Sequence, residues 1–238
     1  MRILYVINDL GAAGAERSLA AMAPHYADRG IRLDGAYLRH EDGIQADLEA
    51  AGARLFSLEG SGGRLGWARR ARRLMASLRP DLVHTTLFEA DVAGRLGATF
   101  AGVPVVSSLV NVHYGADQAA APGLRRWKVR GAQLLDAATA RRVVRFHANA
   151  RYVADVMARR LHVPRDRIEV IPRGRDPERL GRRDPQRRAR AGARARRHRD
   201  AGLPWCGRGP ARSTRRASTC CWRRCPACSP AIRTRGCC

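Results

Sequence analysis

Strand-like and helix-like segments alternate along the first three-quarters of the chain, and this alternation restricts the fold more than any other feature of the sequence. Short apolar runs rich in β-branched residues, such as "RILYVIND" (2–9), have the composition of strands. The segments between them repeat apolar residues at helical spacing and end at Gly or Pro. The predicted strands are 2–9, 32–39, 53–58, 81–86, 103–110, 141–149 and 167–172. The predicted helices are 17–30, 43–52, 64–80, 89–102, 124–140 and 150–161.

This order predicts an α/β fold with a doubly wound parallel sheet, because strands that alternate with helices of this length are joined by right-handed crossovers. The result is a Rossmann-like domain with helices on both faces of the sheet. Ligands of such domains bind beyond the carboxyl ends of the strands. Candidate functional residues are therefore expected in the loops that follow the strands.

The turn after the first predicted strand contains Gly11 and Gly14, in "LGAAGAE" (10–16), before a helix that begins near Ala15. Unpaired N–H groups and the helix dipole favour an anion at such a turn, and glycine lets a phosphate approach the backbone. The sequence matches neither the dinucleotide fingerprint nor the P-loop, so a structural turn and a phosphate cradle both remain open. Glu16 suits the positive end of the helix dipole whatever its function.

Polar residues also follow other strands. His84 closes "DLVH" (81–84) in the fourth predicted strand, at the expected mouth of the sheet, where it could donate a hydrogen bond to a sugar or phosphate, or simply pack. Asn111 and His113 follow the fifth strand, and they are candidates for contact with a substrate. Arg173 and Gly174 follow the last strand, in a turn that could contact an anion.

The basic residues are concentrated at one end of the chain, whose formal net charge is +24. Residues 182–238 hold 17 of the 45 basic residues but two of the 21 acidic ones, with few aliphatic residues and much Gly and Pro. Such a composition buries too little apolar surface to offset the entropy of ordering it. We therefore expect a domain over 1–181 and an unstructured, low-complexity tail rich in Arg and Cys over 182–238. The tail leaves a nucleic-acid-binding protein as an alternative, although 1–181 contains no recognition motif.

We expect a cytoplasmic protein, because the sequence shows no signal-peptide pattern and no apolar stretch near the ~18 residues of a membrane span. The "RRARR" segment (69–73) lies opposite the apolar stripe of its predicted helix. It could contact anionic lipid at the inner face of the membrane, and a solvated helix face is the simpler interpretation.

Four motifs occur in an order and at intervals that resemble the N-terminal half of the family 4 glycosyltransferases, which are retaining enzymes of the GT-B architecture. They are Gly-Ala-Glu-Arg at 14–17, Pro-Asp-Leu-Val-His at 80–84, Ala-Gly-Val-Pro-Val-Val at 101–106 and Glu-Val-Ile-Pro at 169–172. The resemblance covers residues 2–181. It implies an acceptor-side domain of an enzyme that uses a nucleotide-sugar donor and a glycan, lipid or small-molecule acceptor, with no cofactor and no metal. A GT-B nucleotide-sugar epimerase has the same fold and remains an alternative.

The resemblance implies acceptor and phosphate contacts at Gly11, Gly14, His84, Asn111 and the turn of Arg173 and Gly174. The chain departs from the family pattern in three places. Ala13 replaces the first glycine of a pair, and "PRGRD" (172–176) replaces Pro-Asn-Gly-Val-Asp. Asn111 replaces a histidine, with His113 two residues later, so the catalytic residue stays open among His84, Asn111 and His113.

All the cysteines lie near the end of the chain, and their clustering first suggests a metal site. They are Cys206, Cys220, Cys221, Cys225, Cys228, Cys237 and Cys238. Their spacing does not match a zinc ribbon. Arginine replaces lysine almost everywhere, which indicates a GC-rich gene. In such a gene, a Cys codon that is preceded by C or G and read one base earlier encodes Leu or Val. One codon set for 214–238 then encodes an amphipathic helix resembling the start of the family's donor domain. We therefore expect a lost reading frame after about residue 185 and a chain that is catalytically incompetent alone.

Overall fold

Seven parallel strands form one sheet in the computed structural model, which describes residues 1–114 and 126–174. The strands are β1 (Arg2–Ile7), β2 (Arg32–Tyr37), β3 (Arg54–Ser57), β4 (Leu82–Thr86), β5 (Val105–Leu109), β6 (Arg145–Ala148) and β7 (Ile168–Val170). The helices are α1 (Gly14–Ala27), α2 (Gln45–Ala50), α3 (Gly63–Leu78), α4 (Phe88–Ala101), α5 (Arg126–Ala140) and α6 (Arg151–Leu161), with a 3-10 turn at Arg165–Arg167. Each predicted strand and helix is present, and the predicted α/β fold with a parallel sheet is confirmed.

The strand order is β3-β2-β1-β4-β5-β6-β7, so the chain reverses direction across the sheet between β1 and β4. Strands β2 and β3 are added on one side of β1, and the chain then crosses to β4 on the other side. The loops after β1 and β4 leave the sheet in opposite directions at this switch point, which opens a crevice at the carboxyl edge. The candidate functional site lies here.

Two apolar clusters hold the helices against the two faces of the sheet. One face of β1 contributes Ile3, Tyr5 and Ile7 to a cluster that includes Leu19 of α1 and Leu48 of α2. The other face packs in a larger cluster against the four remaining helices. Its members include Leu4, Val6, Met75, Ala93, Ala137 and Met157. Because neighbouring residues of a strand point to opposite faces, β1 is buried on both sides and reads as a continuous apolar run.

Backbone contacts bring the loop before α2 against the turn after β1. Ile44 N–H donates to the carbonyl of Leu10, with the two atoms 2.8 Å apart. A Cβ atom on Gly43 would lie 2.5 Å from the Gly11 carbonyl carbon, so only glycine fits this approach. Asn8 connects the same turn to the next part of the sheet, because its side-chain oxygen accepts a hydrogen bond from Ala90 N–H in the first turn of α4 (2.9 Å).

Contacts divide the chain into a unit of Met1–Arg173 and a unit of Gly174–Cys238, of which the structure describes Gly174 alone. The boundary predicted after residue 181 and the predicted tail lie outside the described residues. None of the helices in the described ranges has both the length and the apolar character needed to cross a membrane.

Candidate functional site

The turn after β7 reaches the beginning of α1 at the switch point. The Arg173 guanidinium donates a hydrogen bond to the carbonyl of Gly14, with Nη1 and O 3.1 Å apart. Its positive charge also acts to lower the pKa of His84 in β4 and that of Tyr5 in β1. Three residues predicted from the sequence, namely Gly14, His84 and Arg173, are therefore brought together by the topology of the sheet.

A chain of hydrogen bonds runs across the sheet from His84. His84 Nε2 lies 2.8 Å from Ser108 Oγ on β5, and Ser108 Oγ lies 3.0 Å from Nδ1 of His147 on β6. His147 Nε2 lies 2.9 Å from the carbonyl oxygen of Ile171, just after β7. These residues share one face because His84 is aligned with Tyr5 and Ser108 with His147.

The carbonyl at the end of this chain only accepts, so it sets the direction of the hydrogen bonds in the chain when His147 is neutral. His147 Nε2 must donate to Ile171, which leaves His147 Nδ1 to accept from the Ser108 hydroxyl. Ser108 Oγ in turn accepts from Nε2–H of His84. His84 is then the Nε2–H tautomer, and Nδ1 is the acceptor atom of its ring.

His84 remains neutral under physiological conditions. Burial lowers the pKa of His84 to about 3, and the positive charge of Arg173 acts in the same direction. The Tyr5 ring packs against the imidazole with the two ring centres 4.5 Å apart. The Tyr5 hydroxyl lies 2.6 Å from Thr86 Oγ1, and burial raises the pKa of Tyr5 to about 12. His84 can therefore serve as a hydrogen-bonding group, but not as a cation or as an effective general base.

Carboxylates lie around the glycine turn in addition to the Arg173 guanidinium. Asp9 Oδ1 accepts a hydrogen bond from Gly11 N–H (3.2 Å). The carboxyl group of Glu41 lies so close that a Cβ atom on Gly11 would be 2.9 Å from it. Glu16, in the first turn of α1, is 3% exposed. Sequence analysis gave Glu16 no role beyond the helix dipole, and only its burial distinguishes it from an ordinary first-turn acid.

The two candidates after β5 lie apart from this group. Asn111 is exposed in the loop at the carboxyl end of β5. His113 faces α5 and α6: burial lowers its pKa, and the charges that act on it belong to Asp136 and Arg160. The Arg160 guanidinium also donates to the backbone carbonyl of His113. Within the described residues, neither candidate side chain is hydrogen-bonded to His84.

A buried ion-pair network holds the loop after β5 through Tyr114, and sequence analysis missed this network. Arg95 of α4 is 1% exposed and pairs with Asp136 of α5, with Nη1 and Oδ1 2.6 Å apart. Arg95 Nη2 lies 3.3 Å from Asp91 Oδ2, four residues earlier on α4. Tyr114 O–H donates to the other oxygen of Asp136 (2.8 Å). The i, i+4 spacing of Asp91 and Arg95 could have indicated an ion pair within one helix. No sequence pattern indicated the pairing of Arg95 with Asp136.

Within residues 1–114 and 126–174, no group of three or more His, Cys, Asp or Glu side chains is arranged to hold a metal ion. The seven cysteines fall outside these ranges, so the zinc interpretation and the lost-frame interpretation both stay predictions. Gly174 is described but belongs to the second unit, and its predicted contact with an anion stays a prediction.

The strand order and the helices on both faces of the sheet are those of a Rossmann-like domain. Comparison of the sequence identifies the family: residues 12–179 match Glycosyltransferase Family 4, and the chain belongs to this family. The resemblance predicted from the four motifs is therefore confirmed. No curated protein matches the sequence significantly.

Several solved structures share the fold. Anabaena HepE in complex with UDP-glucose has a TM-score of 0.60 at 18% identity, over 74% of this chain and 44% of its own. A glycosyltransferase from Rickettsia africae has a TM-score of 0.55 at 11% identity, over 86% of this chain and 50% of its own. The UDP-GlcNAc 2-epimerase of Neisseria meningitidis, bound to UDP-GlcNAc, has a TM-score of 0.50 at 13% identity, over 71% of this chain and 46% of its own. The chain thus spans half of these proteins or less.

Proposed function

We propose that the chain is the acceptor-side domain of a retaining, nucleotide-sugar-dependent glycosyltransferase. Its membership of family 4 supports the reaction class. The observation that carries the proposal is the hydrogen bond from Arg173 to Gly14, because it joins the ends of β7 and α1 over the switch point. UDP and UDP-glucose in the HepE structures support a uridine nucleotide as the donor.

The chemistry of sugar transfer suits the residues at this edge. Negative charge develops on the departing diphosphate while the sugar gains oxocarbenium character, and fixed cationic groups and helix dipoles stabilise that charge. Arg173 is the cationic side chain that we assign to this role. His84 is assigned to binding, since a neutral imidazole can orient a hydroxyl group. Neither a covalent nucleophile nor a metal ion is part of the proposal.

We further propose that residues 182–238 are translated out of frame and that the chain alone transfers no sugar. Resequencing codons 180–238 and the downstream DNA tests the frame. The full chain and the product of the frame-corrected gene are then assayed with UDP-glucose and a panel of glycan and lipid acceptors. We expect transfer from the corrected product alone. Transfer by the 238-residue chain, or an intact frame that ends where this sequence ends, would contradict the proposal.

Contact with an anionic membrane is a second part of the proposal. Arg69, Arg72 and Arg73 are exposed on α3 and line one shallow groove with Ala76. Leu65, on the preceding turns of the same helix, is 65% exposed. A basic surface beside an apolar side chain suits the headgroup region of an anionic bilayer. We expect flotation with phosphatidylglycerol vesicles to decrease when the three arginines become glutamine, and equal flotation would contradict this contact.

The epimerase alternative predicts a different product in the same assay. An epimerase would interconvert UDP-GlcNAc and its 2-epimer without an acceptor, whereas a transferase requires one. The nucleic-acid alternative depends on the tail, which lies outside the described residues, and stays a prediction.

A further inference from the structure

The hydrogen-bond chain that runs from His84 to the carbonyl of Ile171 contains two histidines in different environments. Burial lowers the pKa of His84 to about 3, so its ring stays neutral. His147 is half-buried, and its hydrogen bond with Ile171 is exposed to solvent. Histidine is the side chain whose charge ordinarily changes between about pH 5 and 8. His147 is therefore the member of the chain that can take up a proton from water.

The hydrogen bond to Ile171 is the same in both charge states of His147. A backbone carbonyl only accepts, so Nε2 of His147 keeps its proton whether the ring is neutral or cationic. A change of charge on this ring therefore alters the other nitrogen, Nδ1, which lies 3.0 Å from Ser108 Oγ. Nδ1 accepts from the Ser108 hydroxyl in the neutral ring and donates to Ser108 Oγ in the cation.

A cationic His147 reverses the rest of the chain. Ser108 Oγ then accepts from His147, and its own proton needs another acceptor. His84 Nε2 lies 2.8 Å from Ser108 Oγ and is an acceptor once it carries no proton. Because His84 is neutral, its one ring proton is then on Nδ1. Nδ1 of His84 thereby changes from an acceptor into a donor.

The reversal takes up one proton. A proton that arrives at His84 Nδ1 is balanced by transfer of the Nε2 proton to Ser108 Oγ. The hydroxyl proton of Ser108 moves in turn to Nδ1 of His147. The added charge ends on His147, and His84 is neutral before and after the exchange.

Tyr5 is a competing acceptor for the Ser108 proton. Its hydroxyl group is near Ser108, but it already lies 2.6 Å from Thr86 Oγ1. If Ser108 donated to Tyr5, His84 would keep its proton on Nε2. The separation of 2.8 Å between Ser108 Oγ and His84 Nε2 favours the histidine as the acceptor.

Other ionisable groups lie on the same side of the sheet as His147. Glu169 is its register partner on β7, and Arg145 is two residues earlier on β6, where side chains point to the same face. Arg173 follows β7, and its charge acts on His84. The variants that test the inference keep these three charges, so the surroundings of His147 are the same in each.

We propose that His147 is a positioning residue that sets the hydrogen-bonding role of His84 through Ser108. With His147 neutral, His84 offers an acceptor atom at Nδ1, and with His147 charged it offers a donor. The first state favours a ligand group that donates, and the second favours one that only accepts, such as a phosphate oxygen. That this ligand is a substrate of sugar transfer rests on the proposed function.

NMR of the full-length, isotope-labelled chain measures the two rings directly, because long-range proton–nitrogen correlations distinguish a protonated ring nitrogen from an unprotonated one. The pH is lowered from about 8 to about 5, the range in which histidine ordinarily changes charge. Spectra of His84→Gln and His147→Gln assign the signals. We expect the proton of His84 to be on Nε2 at high pH and on Nδ1 at low pH. The midpoint of this exchange should equal that of proton uptake by His147.

Removing the hydroxyl group between the rings should separate them. In Ser108→Ala, His147 should still take up a proton, and the tautomer of His84 should no longer depend on it. Ser57→Ala is the matched control, since it removes an exposed serine hydroxyl from the end of β3 and should leave the exchange unchanged. Tyr5→Phe should also leave it unchanged. If Ser108→Ala does not fold, His147→Gln replaces it, and His84 should then keep one tautomer over the whole range.

Three results would overturn the inference: a His84 that keeps its proton on Nε2 while His147 becomes charged, a His147 that takes up no proton in this range, or an exchange that persists in Ser108→Ala. A purely structural role of His147 predicts the first of these. The transfer assay separates the inference from the proposed function. Exchange at His84 in a frame-corrected protein that transfers no sugar would refute the function alone. Sugar transfer by a protein whose His84 shows no exchange would refute the inference alone.

Discussion

Replacing Asp136 by alanine removes the carboxylate that pairs with Arg95 and Tyr114 in the buried network and should strongly destabilise the protein. Its carboxylate is 2.6 Å from Arg95 and accepts the Tyr114 hydroxyl at 2.8 Å, and the residues of the ion pair are 3% and 1% exposed. Removing one partner of a buried ion pair costs about 3–5 kcal/mol, since the remaining charge is left in a medium of low polarity. A domain of this size has about 5–15 kcal/mol of total stability, so the variant should lose a large part of it.

Asp155→Ala is a control of the same chemistry in a different environment. Asp155 pairs with Arg165 at 2.7 Å, but their side chains are 53% and 43% exposed. Solvent screening reduces such a pair to about 0–1 kcal/mol. Urea unfolding of the wild type and both variants at pH 7, followed by far-UV circular dichroism, gives the two differences. Equal losses from Asp136→Ala and Asp155→Ala would refute the reasoning, because burial is the feature that separates the two pairs.

Two further predictions concern the turn and the site histidine. Gly43→Ala should destabilise the protein by about 1–3 kcal/mol, because its Cβ would overlap the backbone of the glycine turn. Gly131→Ala on α5, where a Cβ meets nothing within 4 Å, should instead stabilise it by up to about 1 kcal/mol in the same urea unfolding series. His84 is held neutral with a pKa lowered to about 3, so its contribution to stability is present above the unfolded pKa of about 6.5 and is lost as pH falls. The wild type should lose up to about 1.4 kcal/mol per pH unit relative to His84→Gln below pH ~6.5, and parallel pH profiles would exclude this shift.

The fold could be predicted because parallel strands buried on both faces leave uninterrupted apolar runs. "RILYVIND" and "VPVVSSLV" show this pattern, and Gly or Pro ends several of the helices between such runs. The predicted strands were longer than the observed ones, since apolar residues that follow or precede a strand look the same as those within it. Pro104, for example, precedes β5, which begins at Val105.

The site could be predicted only in part. Topology places every strand end at one edge, so Arg173 was found without knowledge of its partners. His84 was expected at the mouth of the sheet, but it is the third of the five residues of β4. Ser108 and His147 were missed because they lie within strands, and a strand sequence does not show which residue of a neighbouring strand lies beside it. The position of His113 depends on Asp136 and Arg160, which are far away in the sequence. Local sequence patterns hold no information on such contacts.

Two polar networks occupy opposite faces of β4 and β5, and the alternation of side chains along a strand keeps them apart. His84 and Ser108 belong to the network that ends at the candidate site. Their neighbours Thr85 and Ser107 face α4, where their hydroxyl oxygens lie 2.6 Å apart and Arg95 donates to Ser107 (2.9 Å). One network therefore orients the site while the other fastens α4 and α5 to the sheet. Because the two share a backbone but no side chain, residues of the site network can change without breaking the ion pairs that hold the helices in place.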